Sequence, residues 1–328
     1  MGGGTNQAGF EGIGDIAGGG CPTTTHSLAA QKFGRISDRI LRDKETTFKK
    51  DGTPLDSETI RCYGLATREF LDILKRTQPD QITKQDMKDW ITKLRQRLCH
   101  RSVCNLYIQI ACFLKFCGID HKTLLPQSER PTPVMEIPEA YTEKEIKNFF
   151  FHVVNERDAL AFEFLLKTGA RKDEMAFLDW HNNLNLGPTP TVKFMTKEDF
   201  RVKTGKSRVV PLERELAAKL RAWRGKNPST RLVFGTKFDT PEENFLRACK
   251  KVAQRAGMDH KTFWLHKFRD TFATRSLRRG RDIRTVQHWL GHADISMTQK
   301  YLAPEEGEQA QNQINSTFSG TVVSVVTA

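Results

Sequence analysis

The chain is expected to be mainly α-helical and to fold in two parts, the second carrying a small antiparallel β-sheet. Three observations predict this. Apolar residues recur at helical spacing from about Ser27 to Leu125, four prolines crowd the stretch Pro126–Pro138, and beyond it helical periods alternate with short strand-like runs. A length of 328 residues is enough for two cores.

Residues 1–26 are rich in glycine and poor in periodic apolar residues, and read as a disordered lead-in. The first part, residues 27–125, then reads as four helices. A weaker one spans Ser27–Arg42. The next carries Ile60, Tyr63, Ala66, Phe70, Ile73 and Leu74 on one face after Asp56-Ser57. Met87, Trp90, Ile91, Leu94 and Leu98 follow a Thr83-x-x-Asp86 capping signal, and a last run from Val103 to Cys117 stops at Gly118. Residues 126–138 are the linker, because Pro126, Pro131, Pro133 and Pro138 break any helix.

The second part, residues 139–304, opens with a Thr142-x-x-Glu145 capping box. A nearly all-apolar helix, Ala159–Leu166, follows and is expected at the centre; Gly169 ends it and puts Arg171 at the start of a short helix. Leu178–Leu186, Thr191–Met195 and Ser207–Leu212 read as strands. Helices are predicted over Glu213–Arg224, Pro241–Ala256, Leu265–Arg278 and Ile283–Leu290. Residues 305–328 form a tail whose Phe318, Val322, Val323, Val325 and Val326 are apolar enough to need a partner surface.

The net charge of +13 and pI near 9.5 point to a polyanionic partner, although charge alone does not distinguish nucleic acid from other partners. Neither a signal peptide nor an apolar run of transmembrane length is visible, so a cytoplasmic protein without membrane association is expected. The seven cysteines are scattered. Cys99, Cys104, Cys112, Cys117, His100 and His121 match no compact C-x-x-C spacing, and read as core or incidental groups; no metal site is assigned.

The chemistry concentrates in Thr262–Pro304. His266 and Arg269 stand three apart, on one helical face; Gly291-His292 follows, and Tyr301 comes nine residues after His292. Arginine presents a fork of donors matched to phosphate oxygens, histidine donates or shuttles a proton near neutral pH, and tyrosine can act as a covalent nucleophile. Taken singly, each of these residues is more often an ordinary structural one. Together they suggest phosphate chemistry without a cofactor.

H-x-x-R, then L-G-H, then this tyrosine resembles the C-terminal signature of the tyrosine recombinase, or phage integrase, family. Two upstream boxes extend the match: Leu166–Trp180 reads LKTGARKDEMAFLDW and resembles the family's first arginine box, and Lys203–Leu212 reads KTGKSRVVPL and resembles its lysine-bearing β-hairpin. The resemblance implies a SAM-like, four-helix core-binding domain followed by a mostly helical catalytic domain. It implies a site-specific DNA recombinase acting in integration, excision or resolution, in which Tyr301 forms a 3′-phosphotyrosyl bond without ATP. Arg171, Arg269 and His292 would bind the phosphate, His266 would take the phenolic proton, and Lys203 would protonate the leaving oxygen, with Lys197 and Lys206 as alternatives. Glu174 would support the site by hydrogen bonding. The partners it implies are double-stranded DNA with inverted-repeat core sites and three further copies in a tetramer, with Lys44, Lys49, Arg61, Arg68, Lys93, Arg97 and Arg101 available for DNA contacts. A type IB topoisomerase-like activity, or a non-catalytic DNA-binding role on the same scaffold, are the alternatives; assembly on paired sites discriminates between them.

Overall fold

A computed structural model describes residues 38, 40–47, 52, 54–74, 79–134, 137–203, 205–302, 311 and 315. The lead-in, most of the Ser27–Arg42 helix and all of the tail except Gln311 and Asn315 lie outside the described residues. The chain divides into two compact units, Met1–Val134 and Met135–Ala328.

In the first unit residues 40–45 are helical, and α1 (Ser57–Leu74), α2 (Lys84–Arg95), α3 (His100–Phe116) and the one-turn α4 (His121–Leu124) follow. The capping box at α2 forms as expected: the Thr83 hydroxyl accepts from the Asp86 amide while Asp86 accepts from the Thr83 amide. The core is built on Phe70, Trp90 and Phe113, with Phe70 edge-on to both rings at 5.0 and 6.3 Å, and Ile40 fully buried among them. The proline-rich stretch is not free chain along its whole length. Glu129 pairs with Lys84 and Lys88, Arg130 Nε donates to the Leu125 carbonyl, and the His100 imidazole meets the Thr132 carbonyl, so residues 126–132 are tied onto the first unit.

The second unit contains α5 (Glu143–Phe151), α6 (Glu156–Thr168), α7 (Lys172–Ala176), β1 (Leu184–Asn185), β2 (Thr191–Phe194), β3 (Arg208–Pro211), α8 (Arg214–Lys226), α9 (Phe245–Arg255), α10 (Leu265–Arg278), α11 (Ile283–Leu290) and α12 (Ser296–Gln299). The strands form one antiparallel sheet in the order β1-β2-β3, with Phe194 opposite Arg208 and Val192 opposite Val210. Helix α6 packs along α10, and the apolar interior centres on Phe149, Phe162, Phe263 and Phe268, with Phe162 stacked on Phe268 at 5.8 Å.

Two element boundaries depart from expectation. Only Leu184–Asn185 of the predicted Leu178–Leu186 strand joins the sheet; Asp179 instead makes an isolated antiparallel bridge to Leu232, and its carboxylate accepts from the His181 and Asn182 amides, which turns the chain there. Helix α9 starts at Phe245 rather than Pro241, since Glu242 Oε1 accepts from the Asn244 amide and holds the preceding turn non-helical.

Candidate active site

Two left-handed glycine turns frame the site. Gly169 (φ 64°) ends α6 and Gly291 (φ 64°) ends α11, and each lies in close contact: a Cβ on Gly169 would come 2.5 Å from Phe272 Cδ1, and one on Gly291 would come 2.9 Å from Arg208 Cδ. Arg269 spans the two helix ends. Its Nη1 donates to the Gly169 carbonyl at 2.6 Å and its Nη2 to the Leu290 carbonyl, while Nε is buried without a hydrogen-bond partner among the described residues. Burial, followed by the charge of Arg171, brings its pKa down to about 9, so the guanidinium stays charged at neutral pH.

Arg171 stands at the N-cap of α7, where the Gly169 turn delivers it. Its Nη1 donates to Glu174 Oε1 at 3.0 Å, and its backbone amide donates to Glu174 Oε2 at 2.8 Å. Glu174 is itself buried and is gripped from the other side by Arg208, whose Nη1 and Nη2 reach its two oxygens at 2.7 and 2.6 Å. Arg208 Nε also donates to the Trp289 carbonyl at 2.7 Å, and its guanidinium lies 4.3 Å from the Phe194 ring centroid. Burial alone would raise the Glu174 pKa, but the hydrogen bonds and charge of Arg208, with help from Arg171, hold it at about 2.

Tyr301 follows α12 and is 4% exposed. Its ring is parallel to the His292 imidazole, with centroids 6.3 Å apart, and its hydroxyl donates to Asp270 Oδ1 at 2.7 Å. His292 Nδ1 is 2.9 Å from the Thr298 hydroxyl; burial, reinforced by the nearby arginine charges, pulls its pKa down to about 3, so the imidazole is neutral at physiological pH. His266 is exposed, with Nε2 at 3.8 Å from Asp270 Oδ1; partial desolvation, helped by the neighbouring cations, lowers its pKa against the opposing pull of Asp270. The Tyr301 hydroxyl is bonded to Asp270, which the i, i+4 spacing places on the same face of α10 as His266.

Lys203 is exposed in the loop joining β2 to β3, and the contacts that link Arg171, Glu174, Arg208 and Arg269 do not include it. Lys206 is also exposed there. Lys197 is turned away into structure: its Nζ donates to the Phe177 carbonyl at 2.6 Å and to Asn183 Oδ1 at 3.1 Å. Three guanidiniums (Arg171, Arg208, Arg269) thus face two carboxylates (Glu174, Asp270), a surplus of positive charge suited to an anion.

Residues 139–308 match the phage integrase family model, just over half of the chain. The chain belongs to the phage integrase family. It is 30% identical over 265 residues to the tyrosine recombinase XerA of Saccharolobus solfataricus, an alignment covering 74% of this chain and 81% of that protein. It is 28% identical to the tyrosine recombinase XerD of Listeria monocytogenes serotype 4b over 264 residues, covering 75% and 88% respectively. Its fold resembles the XerH site-specific recombinase bound to a palindromic difH substrate (TM-score 0.66, 15% identity, 90% of this chain and 96% of that one). It also resembles a lambda integrase dimer on a core site (TM-score 0.67, 13% identity, 84% and 98%). This integrase-family chain is accordingly a tyrosine-type site-specific recombinase.

The residues named for DNA contact all belong to the first unit. Arg68, Lys93 and Arg101 are exposed, Arg61 is paired with Glu58 at 2.6 Å, Arg97 is paired with Glu69, and Lys44 is 3.5 Å from Asp43; Lys49 lies outside the described residues. Sequence reasoning missed two residues that the structure brings against these side chains, Arg208 on Glu174 and Asp270 on Tyr301. A signal for the first existed: in Arg208-Val209-Val210-Pro211 the period of two puts Arg208 on the same buried face as Val210, where a charge requires a partner.

Proposed function

We propose that this recombinase cleaves and rejoins specific DNA sites through a 3′-phosphotyrosyl intermediate on Tyr301. The observation that carries the reading is the grouping of Arg269, Arg171 and neutral His292 with Tyr301, all held by helix ends and buried hydrogen bonds in one unit. Tyr301 Oη attacks the phosphorus, the P–O5′ bond breaks, and the leaving 5′-oxygen takes a proton from Lys203. Arg171, Arg269 and the imidazole of His292 bind the non-bridging oxygens as charge builds; preorganised donors of this kind contribute on the order of 10²- to 10³-fold each. His266, neutral and exposed, accepts the phenolic proton once the hydroxyl is free of Asp270. The phosphoester energy is kept in the protein–DNA bond, so a second 5′-hydroxyl reverses the chemistry on a new strand without ATP or a metal.

The substrate in this reading is double-stranded DNA with inverted-repeat core sites, held by a tetramer in the cytoplasm, with the first unit supplying phosphate contacts through Arg68, Lys93 and Arg101. The XerH structure on a palindromic site and the lambda integrase dimer on a core site support DNA as the partner in this reading. A nicked suicide duplex carrying sequences from the flanks of the protein's own gene tests the chemistry. A covalent complex with the wild type and none with Tyr301→Phe is expected; a complex that persists in the variant would overturn the assignment.

A further inference from the structure

The hydroxyl of Tyr301 is engaged, and its partner is a carboxylate. Oη donates to Asp270 Oδ1 at 2.7 Å, the residue is 4% exposed, and the His292 ring lies parallel to its ring with centroids 6.3 Å apart. Asp270 is buried one residue beyond Arg269 and one turn beyond His266 on α10.

We propose that Asp270 is a positioning residue for the nucleophile, anchoring the Tyr301 hydroxyl in a sheltered, protonated resting position from which DNA must release it. The inference rests on Tyr301 being the nucleophile. Three observations lead to it. A carboxylate accepting a phenolic hydrogen bond stabilises the neutral phenol. Burial, then the charge and hydrogen bond of Asp270, raise the Tyr301 pKa, against the weaker downward pull of Arg269 and Arg171. A side chain this sheltered does not meet a duplex backbone without moving, and a cavity of about 260 Å³, lined by Tyr301, Tyr141, Thr274 and Arg278, leaves the ring room to pivot.

The same carboxylate is an unfavourable neighbour for a phosphodiester. A phosphate bound at Arg171 and Arg269 engages the charge that those residues otherwise direct at Asp270 and Tyr301, and it repels the Asp270 carboxylate. The hydroxyl has to leave Asp270 before it can attack a phosphate held at those arginines. His266 then receives the proton that Asp270 held in place.

The contact is read without catalysis by nitrating the full-length, DNA-free protein with tetranitromethane, which attacks phenolate, and following each tyrosine peptide by mass spectrometry. Asp270→Asn keeps the shape and removes the charge; Asp270→Ser removes both. In each variant Tyr301 should nitrate about tenfold faster for every unit its pKa falls, while buried Tyr141, whose hydroxyl bonds the Trp264 carbonyl, stays at its wild-type rate and reports an intact fold. On the suicide duplex the variants should form covalent complex faster than the wild type, because no anchor has to be released before attack. Unchanged nitration of Tyr301 in both variants would overturn the proposal. So would slower cleavage in both variants restored by Asp270→Glu, since the carboxylate would then be taking the proton during attack. If Tyr301 proves not to be the nucleophile, the nitration result still decides whether the anchor exists.

Discussion

The buried Glu174–Arg208 pair should be strongly coupled, and its strength can be worked from two directions. Glu174 titrates at about 2 in the folded chain against an ordinary value of 4.5, a difference that corresponds to about 3 kcal/mol favouring the charged, paired form. Independently, removing one member of a buried ion pair costs about 3–5 kcal/mol because the other charge is left uncompensated. Glu174→Gln strands Arg208 against the Trp289 carbonyl and the Phe194 ring; Arg208→Met leaves Glu174 with Arg171 alone. The double variant has neither charge to strand, so its loss should fall short of the sum of the single losses by about 2 kcal/mol or more. Urea unfolding of the full-length protein followed by tryptophan fluorescence measures this, since Trp180, Trp223, Trp264 and Trp289 all lie in the second unit and only Trp90 in the first. Additivity within about 0.5 kcal/mol would refute the coupling.

Because the folded pKa of Glu174 is depressed, its contribution is fully present above about 4.5 and is lost as pH falls toward about 2; an acid titration of stability should show a limb in that window that Glu174→Gln flattens. Lys203→Ala should slow cleavage of a normal phosphodiester by about 10²-fold and be rescued by a 5′-bridging sulfur, whose thiolate leaves without a proton, while Lys197→Met should instead lower thermal stability; rescue of Lys197→Met and not of Lys203→Ala would exchange the two roles. Gly169→Ala should destabilise the second unit by about 1–3 kcal/mol, through the positive φ and the clash with Phe272, as read by thermal unfolding; a change under about 0.5 kcal/mol would show that the ring yields.

Much of the second unit was legible because its local signals agree. The Thr142 capping box, the glycine stop at Gly169 and the periods of α10 and α11 specify helices from neighbours within four residues, as the Thr83 box does in the first unit. The site was legible in part for the same reason, since His266, Arg269, His292 and Tyr301 sit in one short stretch. Arg208 was harder to see because its partners Glu174 and Trp289 are 34 and 81 residues away: the strand's period of two marks it as buried but names neither partner. Asp270 was passed over because, beside His266 and Arg269, a lone carboxylate looks like a counter-charge; its meaning depends on where Tyr301 lands. The long strand expected from Leu178 is cut to a bridge with Leu232 by Asp179, whose carboxylate turns the chain at His181 and Asn182.

Arg269 closes a gap between carbonyls at the ends of two helices, Gly169 of α6 and Leu290 of α11, 121 residues apart in the chain. Both carbonyls sit at the negative pole of a helix, so one cation quiets two dipoles at once. The residue thus behaves as a keystone as much as a reagent. A lysine there keeps the charge but has no planar fork to reach both carbonyls together. An Arg269→Lys protein would lose catalysis and the shape of its own pocket in the same stroke, which makes it a poor inactive stand-in for the working enzyme. Tyr301→Phe, which removes one oxygen and leaves both helix ends bridged, is the cleaner decoy.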